Sequence, residues 1–181
     1  MAITVTLANC NTLDQEEFVE ALATLFEGPP WIVRQAWRQQ PFSSRAQLYQ
    51  VLCEIMEQAP IEQQIALLQA HPDLVGRAAL AGTLSPESTG EQAAAGLGRL
   101  SAEEVATFTH LNQQYREGFD FPFVICARKN KKASILAGFA TRLHNSRDQE
   151  ISIALAEVAK ICAFRLQDLM PVDGEPALIM A

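Results

Sequence analysis

Nowhere in the 181 residues does an apolar run reach the roughly 18 positions that a membrane-spanning helix requires. The N-terminus, Met1 to Cys10, has neither a basic leader nor a sustained apolar stretch of the kind a secretory signal needs. Both absences predict a soluble chain that stays where it is made. Cysteine occurs four times, at Cys10, Cys53, Cys126 and Cys162, but never as a CxxC pair and never at the spacing of a zinc site. Four reduced and mostly buried thiols are expected, which suits the cytoplasm. Positive charge is in short supply, with 14 basic against 21 acidic side chains, a formal charge of -7 and a pI near 5.0. Neither nucleic acid nor an anionic membrane is therefore an expected partner, since both select clustered positive surface. GxGxxG, the phosphate-binding loop and GxSxG are missing, which removes sequence support for nucleotide binding and for hydrolase-type nucleophilic chemistry. His71, His110 and His144 lie far apart and outside any HExxH pattern, so no metal site is expected. The basic turn Arg128 to Lys132, interrupted by Asn130, reads as solvated.

What the chain does have is helical periodicity. With 49% hydrophobic and 19% charged residues, it is long enough to bury roughly 70% of its extended surface and to fold without a disulfide or metal staple. Thr12-Leu13-Asp14-Gln15 fits a capping box ahead of the apolar stripe Phe18, Leu22 and Leu25. Pro29-Pro30 opens a helix through Trp31 and Trp37 that should stop before Pro41. Ser44 to Gln58 turns Leu48, Val51, Leu52 and Ile55 inward, and Pro60 opens a helix carrying Ile61, Ile65 and Leu68 that His71-Pro72 closes. Ser101 and Glu104 form a second capping box before Val105, Phe108, Leu111 and Tyr115, in a helix that runs out at Gly118. Phe119 to Ala127 has strand-like composition but no second strand to pair with, and reads as an extended segment among helices. A helix through Ile135, Leu136, Phe139 and Leu143 follows, then a long one from about Asp148 to Met170. The expected fold class is all-α, a single compact domain of seven to nine helices over residues 1–170, with residues 171–181 as a loosely held tail.

Two places break the pattern. On the last helix, Ile151, Leu155, Val158, Cys162, Arg165 and Leu169 share one face. A guanidinium in that seam needs an anionic or hydrogen-bonding partner, or must reach water. Either a structural ion pair or an acidic small molecule in a pocket would serve. The second place is His71 to Gln92. An imidazole at a helix end can be structural, or can serve as a general acid or base near neutral pH. Beyond it, a helix begins either with Ser88-Thr89-Gly90-Glu91 as a capping box, running through Ala95 and Leu97, or with Ser85 as cap and Pro86 at the first position, which puts Ser88 and Glu91 inside. Plain capping and an anion or urea-like site are both open there.

Taken together, the motifs resemble those of one family. They are His71-Pro72-Asp73-Leu74, Ser88 with Glu91-Gln92 and Gly96-Leu97, Leu111-Asn112 with Tyr115, Phe121-Pro122-Phe123-Val124-Ile125, Arg142-Leu143 with Asn145, Glu157-Val158 with Lys160-Ile161, Arg165-Leu166, and the earlier Pro41-Phe42. In this order, across residues 9–170, they are similar to the 2-oxo-4-hydroxy-4-carboxy-5-ureidoimidazoline (OHCU) decarboxylases of uric acid breakdown. The resemblance implies a cofactor-free, all-helical lyase, commonly a homodimer, that removes the substrate carboxylate and yields S-allantoin. It implies His71 as the catalytic proton carrier, a substrate site lined by Pro72, by Ser88, Thr89, Gly90, Glu91 and Gln92, and by Phe123, Val124, Ile125, Cys126 and Ala127, and a role for Arg165, with Arg142 as a further candidate. Glu91 is expected to act with His71, Arg165 to hold an anionic group, and unpaired amides of Phe123 to Ala127 to bind the ureido and ring carbonyls. The ending Leu178-Ile179-Met180-Ala181 is not of the peroxisomal Ser-Lys-Leu type and favours a cytoplasmic, bacterial-type enzyme. The rival from another class is a non-catalytic helical binding or scaffold module, with Trp31 and Trp37 in an interface or core.

Overall fold

The computed structural model describes residues 5–171 and Leu178. The expectation for the C-terminal tail falls mostly on residues 172–177 and 179–181, which lie outside the described residues. Among the described residues there are ten α-helices and no strand. They are α1 (Leu7–Cys10), α2 (Gln15–Ala21), α3 (Trp31–Ala36), α4 (Arg45–Glu57), α5 (Ile61–Gln69), α6 (Arg77–Leu80), α7 (Pro86–Ala94), α8 (Ala102–Phe119), α9 (Lys132–Arg142) and α10 (Arg147–Leu169), with 3-10 turns at Ala23–Leu25, Trp37–Gln39 and Ala127–Lys129. The number exceeds seven to nine because α1 and α6 have four residues each, too few to display a helical period. No helix among the described residues is long and apolar enough to cross a membrane.

Contacts divide the chain into two compact units, residues 1–64 with 159–181, and residues 65–158. In the first unit, Ser44 caps α4 by accepting the Gln47 amide, as its sequence position requires. The α2 cap differs from expectation. Asp14, not Thr12, accepts the Glu17 amide at 2.9 Å, and Glu17 reaches back to the Asp14 amide at 3.1 Å. The Thr12 hydroxyl instead donates to the Asn9 carbonyl at the end of α1. Pro30 precedes α3, and the chain leaves helical geometry at Gln40, before Pro41. Phe18, Leu22, Leu25, Leu48, Leu52 and Met56 are among the most buried side chains here. Tyr49 donates to the Ala159 carbonyl and Arg45 to that of Met170, tying α4 to the last part of the chain.

The second unit is built around rings. Tyr115 and Phe119 of α8 lie 4.6 Å apart, Phe123 stacks on Phe139 of α9 at 3.8 Å, and Tyr115 meets Phe123 edge-on at 5.3 Å. The Ser101–Glu104 capping box opens α8, and Asp120, in the left-handed region at φ 66°, ends it. Residues 122–126 are neither helix nor strand, a shorter segment than the expected Phe119 to Ala127, because Phe119 still belongs to α8 and Ala127 opens a 3-10 turn.

Candidate active site

α5 stops where Pro72 forbids helical geometry to its predecessor, which leaves His71 just past the helix end. The ring is 7% exposed and its Nδ1 lies 2.9 Å from the Leu67 carbonyl. A carbonyl can only accept, so Nδ1 carries hydrogen and the neutral ring holds its lone pair on Nε2. Burial and this bond fix one tautomer and one orientation. Pro72 is half-buried beside it.

The chain then turns sharply. The Gly76 amide donates to the Asp73 carbonyl at 3.2 Å, and Val75 sits at φ 53°. The Asp73 carboxylate pairs with Arg116 of α8 at 2.9 Å, Asn112 of α8 donates to the Leu74 carbonyl at 2.8 Å, and the Val75 amide donates to Gln92 Oε1 at 3.1 Å. Two open cavities of about 470 and 910 Å³ flank this turn, sharing Val75 and Leu80; neither His71 nor Glu91 lines them.

α7 settles the open question about its start. Ser85 is the cap, accepting the Ser88 amide at 3.2 Å, and Pro86 occupies the first position. Ser88, Glu91 and Gln92 therefore fall inside the helix at spacings of three and four, and all are buried. Thr89 and Gly90 are exposed, the Thr89 hydroxyl spent on the Ser85 carbonyl. The helix ends at Ala94, short of the expected Leu97, because Gly96 adopts φ 84° and Leu97 donates back to the Gln92 carbonyl at 3.0 Å. That closure brings the chain around to the next segment. Lys132 donates through its amide to the Ala95 carbonyl and Lys131 through Nζ to that of Ala94, and α7 packs on the turn Ala127–Lys129.

Phe123, Val124, Cys126 and Ala127 are buried and Ile125 half-buried. Among the described residues, the amides of Phe123, Val124, Ile125 and Ala127 make no hydrogen bond to the protein. The expectation of unpaired amides fails at one place, because the Cys126 amide donates to the Glu157 carboxylate of α10 at 2.7 Å. Glu157 had been given no role from sequence. Burial chiefly raises the Cys126 thiol pKa, and the charges of Glu157 and Glu91 push the same way against the Lys129 backbone hydrogen bond.

Arg142 holds that segment from behind. Its Nη1 donates to the Val124 carbonyl at 2.8 Å, its Nε to Glu150 at 2.9 Å and its Nη2 to the Tyr115 hydroxyl at 3.3 Å, with the guanidinium 4.3 Å from the Phe123 ring centre. Glu150 is fully buried and also accepts from Tyr115 and from Asn145. Nothing in sequence marked Glu150, because an acid in a helix's first turn reads as a surface partner of the helix dipole.

Arg165 belongs to the other unit, where it is 5% exposed, donates through Nη1 to the Thr24 carbonyl at 3.0 Å and pairs through Nη2 with Glu27 at 3.0 Å. Ile151, Leu155, Val158 and Cys162 are buried with it as the periodicity required, while Leu169 is half-buried. All four cysteines are unpaired thiols. No group of three or more His, Cys, Asp or Glu among the described residues is arranged to hold a metal ion.

Comparison with known proteins adds the decisive fact. Residues 11–167 match the OHCU decarboxylase family. The chain is 43% identical over 160 residues to the 2-oxo-4-hydroxy-4-carboxy-5-ureidoimidazoline decarboxylase of Amia calva, covering 88% of this chain and 91% of that protein. It is 40% identical over 163 residues to the enzyme of that name from Xenopus laevis, covering 90% and 93%. A crystal structure of OHCU decarboxylase in the presence of (S)-allantoin shares the fold, with a TM-score of 0.68 over 88% of this chain and all of the other at 21% identity. With the family matched over nearly its whole length, this chain belongs to the OHCU decarboxylases.

Proposed function

We propose that this protein is a carboxy-lyase that converts OHCU to S-allantoin in urate catabolism, with His71 as the proton carrier. Membership of the family supports the reaction. The observation that carries the role of His71 is its ring, buried at the α5 terminus with Nδ1 committed to the Leu67 carbonyl. With Nδ1 so engaged, Nε2 is the nitrogen that takes up a proton and then delivers it, in one direction, and a fixed direction is what a single product hand requires.

Loss of CO2 leaves an electron pair on the ring carbon of the substrate, and the adjacent imine and carbonyl groups delocalise it. The substrate is its own electron sink, and the protein has to orient, exclude water and supply a proton. Glu91, with Ser88 and Gln92 on the buried face of α7, would act with His71 on the substrate hydroxyl or the nascent carbanion. Amides of Phe123, Val124, Ile125 and Ala127 would bind the ureido and ring carbonyls. Pro72 would line the site, while Thr89 and Gly90 would contribute only through backbone, since both side-chain positions are exposed. Arg165 is taken to hold an anionic group of the substrate, a role that rests on the family resemblance. A cytoplasmic homodimer working without a cofactor belongs to the same proposal and has the same support.

The test generates the substrate in situ from urate with the two upstream enzymes and follows allantoin chirality by circular dichroism. Parent protein is expected to accelerate S-allantoin formation, and His71→Ala to lose about 100-fold or more of that rate. A His71→Ala protein as fast as the parent overturns the assignment.

A further inference from the structure

Val75 is in a conformation that a β-branched residue avoids. At φ 53° it occupies the left-handed region, and it does so at the third position of the Asp73–Gly76 turn, where glycine or asparagine is usual. The neighbouring glycine cannot relieve it. A Cβ on Gly76 would lie 2.6 Å from the Asp73 Cβ, so the turn is already at contact. A second local cost sits beside the first. Asn112, 6% exposed, spends its Nδ2 on the Leu74 carbonyl, and its buried Oδ1 has no hydrogen-bond partner among the described residues. Backbone strain and an unsatisfied buried acceptor at one turn persist only where the surroundings over-determine the geometry, and such spots cluster at functional sites.

We infer that the Asp73–Gly76 turn is a strained positioning device, clamped by Asn112 on Leu74 and by Gln92 on Val75, that sets the polarity of the Gln92 amide and the exit of the chain from His71. The inference rests on the proposed function and adds Asn112 and Val75 to it as positioning residues. The Val75 amide can only donate, so Gln92 must present Oε1 to it; a flipped side chain would set two donors face to face. Gln92 is thereby left with its NH2 as the end that remains for a substrate carbonyl. The same turn begins two residues after His71, whose Nδ1 is held by the Leu67 carbonyl. A turn that relaxed to negative φ at Val75 would withdraw the amide from Gln92 and change the path of the chain leaving His71. Cost at Val75 and hold at Asn112 are thus two sides of one arrangement.

The experiment combines exchange and kinetics. In Asn112→Ala, the Val75 amide is expected to exchange about tenfold faster or more in substrate-free protein, and kcat to fall about tenfold or more with KM changed less than about threefold. Adding Val75→Gly, which accepts positive φ without penalty, is expected to restore part of the lost kcat. Gln92→Glu keeps an acceptor for Val75 and loses the donor; it should retain Val75 protection and lose turnover, and it stands as the test should Asn112→Ala not fold. Parental Val75 protection or parental kcat in Asn112→Ala, or parental kcat in Gln92→Glu, overturns the inference. Exchange is read without substrate, so an intact clamp in a parent protein that forms no S-allantoin instead sinks the proposed function.

Discussion

Arg142 and Glu150 form a buried ion pair, Nε to Oε2 at 2.9 Å, in which the carboxylate is fully buried and the guanidinium also carries the Val124 carbonyl. Removing a partner from such a pair leaves a charge in low dielectric that water cannot reach. Arg142→Met is expected to cost about 3 to 5 kcal/mol in chemical denaturation. The double variant Arg142→Met with Glu150→Leu should cost less than the sum of the two single changes, because the uncompensated charge is gone. Strict additivity would show that the two groups do not stabilise each other.

The two candidate caps of α2 separate cleanly. Asp14→Ala removes the acceptor of the Glu17 amide and breaks the reciprocal box, and should lower stability by about 1 kcal/mol. Thr12→Ala loses one exposed hydroxyl bond to Asn9 and should stay within about 0.5 kcal/mol of the parent. The reverse order in thermal melts would return the cap to Thr12.

Burial raises the Cys10 and Cys53 thiols from 9.0 to about 11, and in Cys53 the hydrogen bond with Tyr49 pulls the other way. A thiol whose folded pKa lies above its unfolded value contributes stability that is fully present below the unfolded value and lost as pH climbs through the folded one. Stability is therefore expected to hold to about pH 9 and to fall between 9 and 11. Alkylation of the native protein at pH 8 should be slow, since the thiolate is about one part in a thousand for a pKa of 11. Rapid labelling of Cys10 at that pH, mapped by mass spectrometry, would contradict its environment.

Arg165 and Glu27 give a two-variant discrimination. If Arg165 holds a substrate anion, Arg165→Met lowers kcat/KM about 100-fold or more. Glu27→Gln, which removes the negative charge that faces Arg165, is expected to cost about 1 to 3 kcal/mol of stability with turnover within about threefold of the parent. Full turnover in a folded Arg165→Met would reduce the pair to architecture.

Helix starts and stops whose partners lie within four residues were legible in the chain. Ser44, Ser101 with Glu104, and the prolines at 41 and 72 act on amides and dihedrals of their immediate neighbours, so the residue types suffice. The apolar faces of α4 and α10 were legible for the same reason, since periodicity needs only the chain's own geometry. The spaced motifs, read as a set, also pointed to the family. Four-residue helices such as α6 carry no period and were not visible.

Choices between locally equivalent options needed the tertiary structure. Thr12 and Asp14 are both good caps, as are Ser85 and Ser88, and the folded chain uses Asp14 and Ser85. Asn112 meets Leu74 across 38 residues, Cys126 meets Glu157 across 31, and Arg165 meets Glu27 across 138. The sequence by itself determined an all-helical chain, its breaks, and which residues could do proton chemistry. Folding alone decided the direction of Gln92 and the depth of Glu150, because a hydrogen bond from an amide 17 residues away or a carboxylate's exclusion from water depends on which surfaces pack, and no short window of residues encodes that.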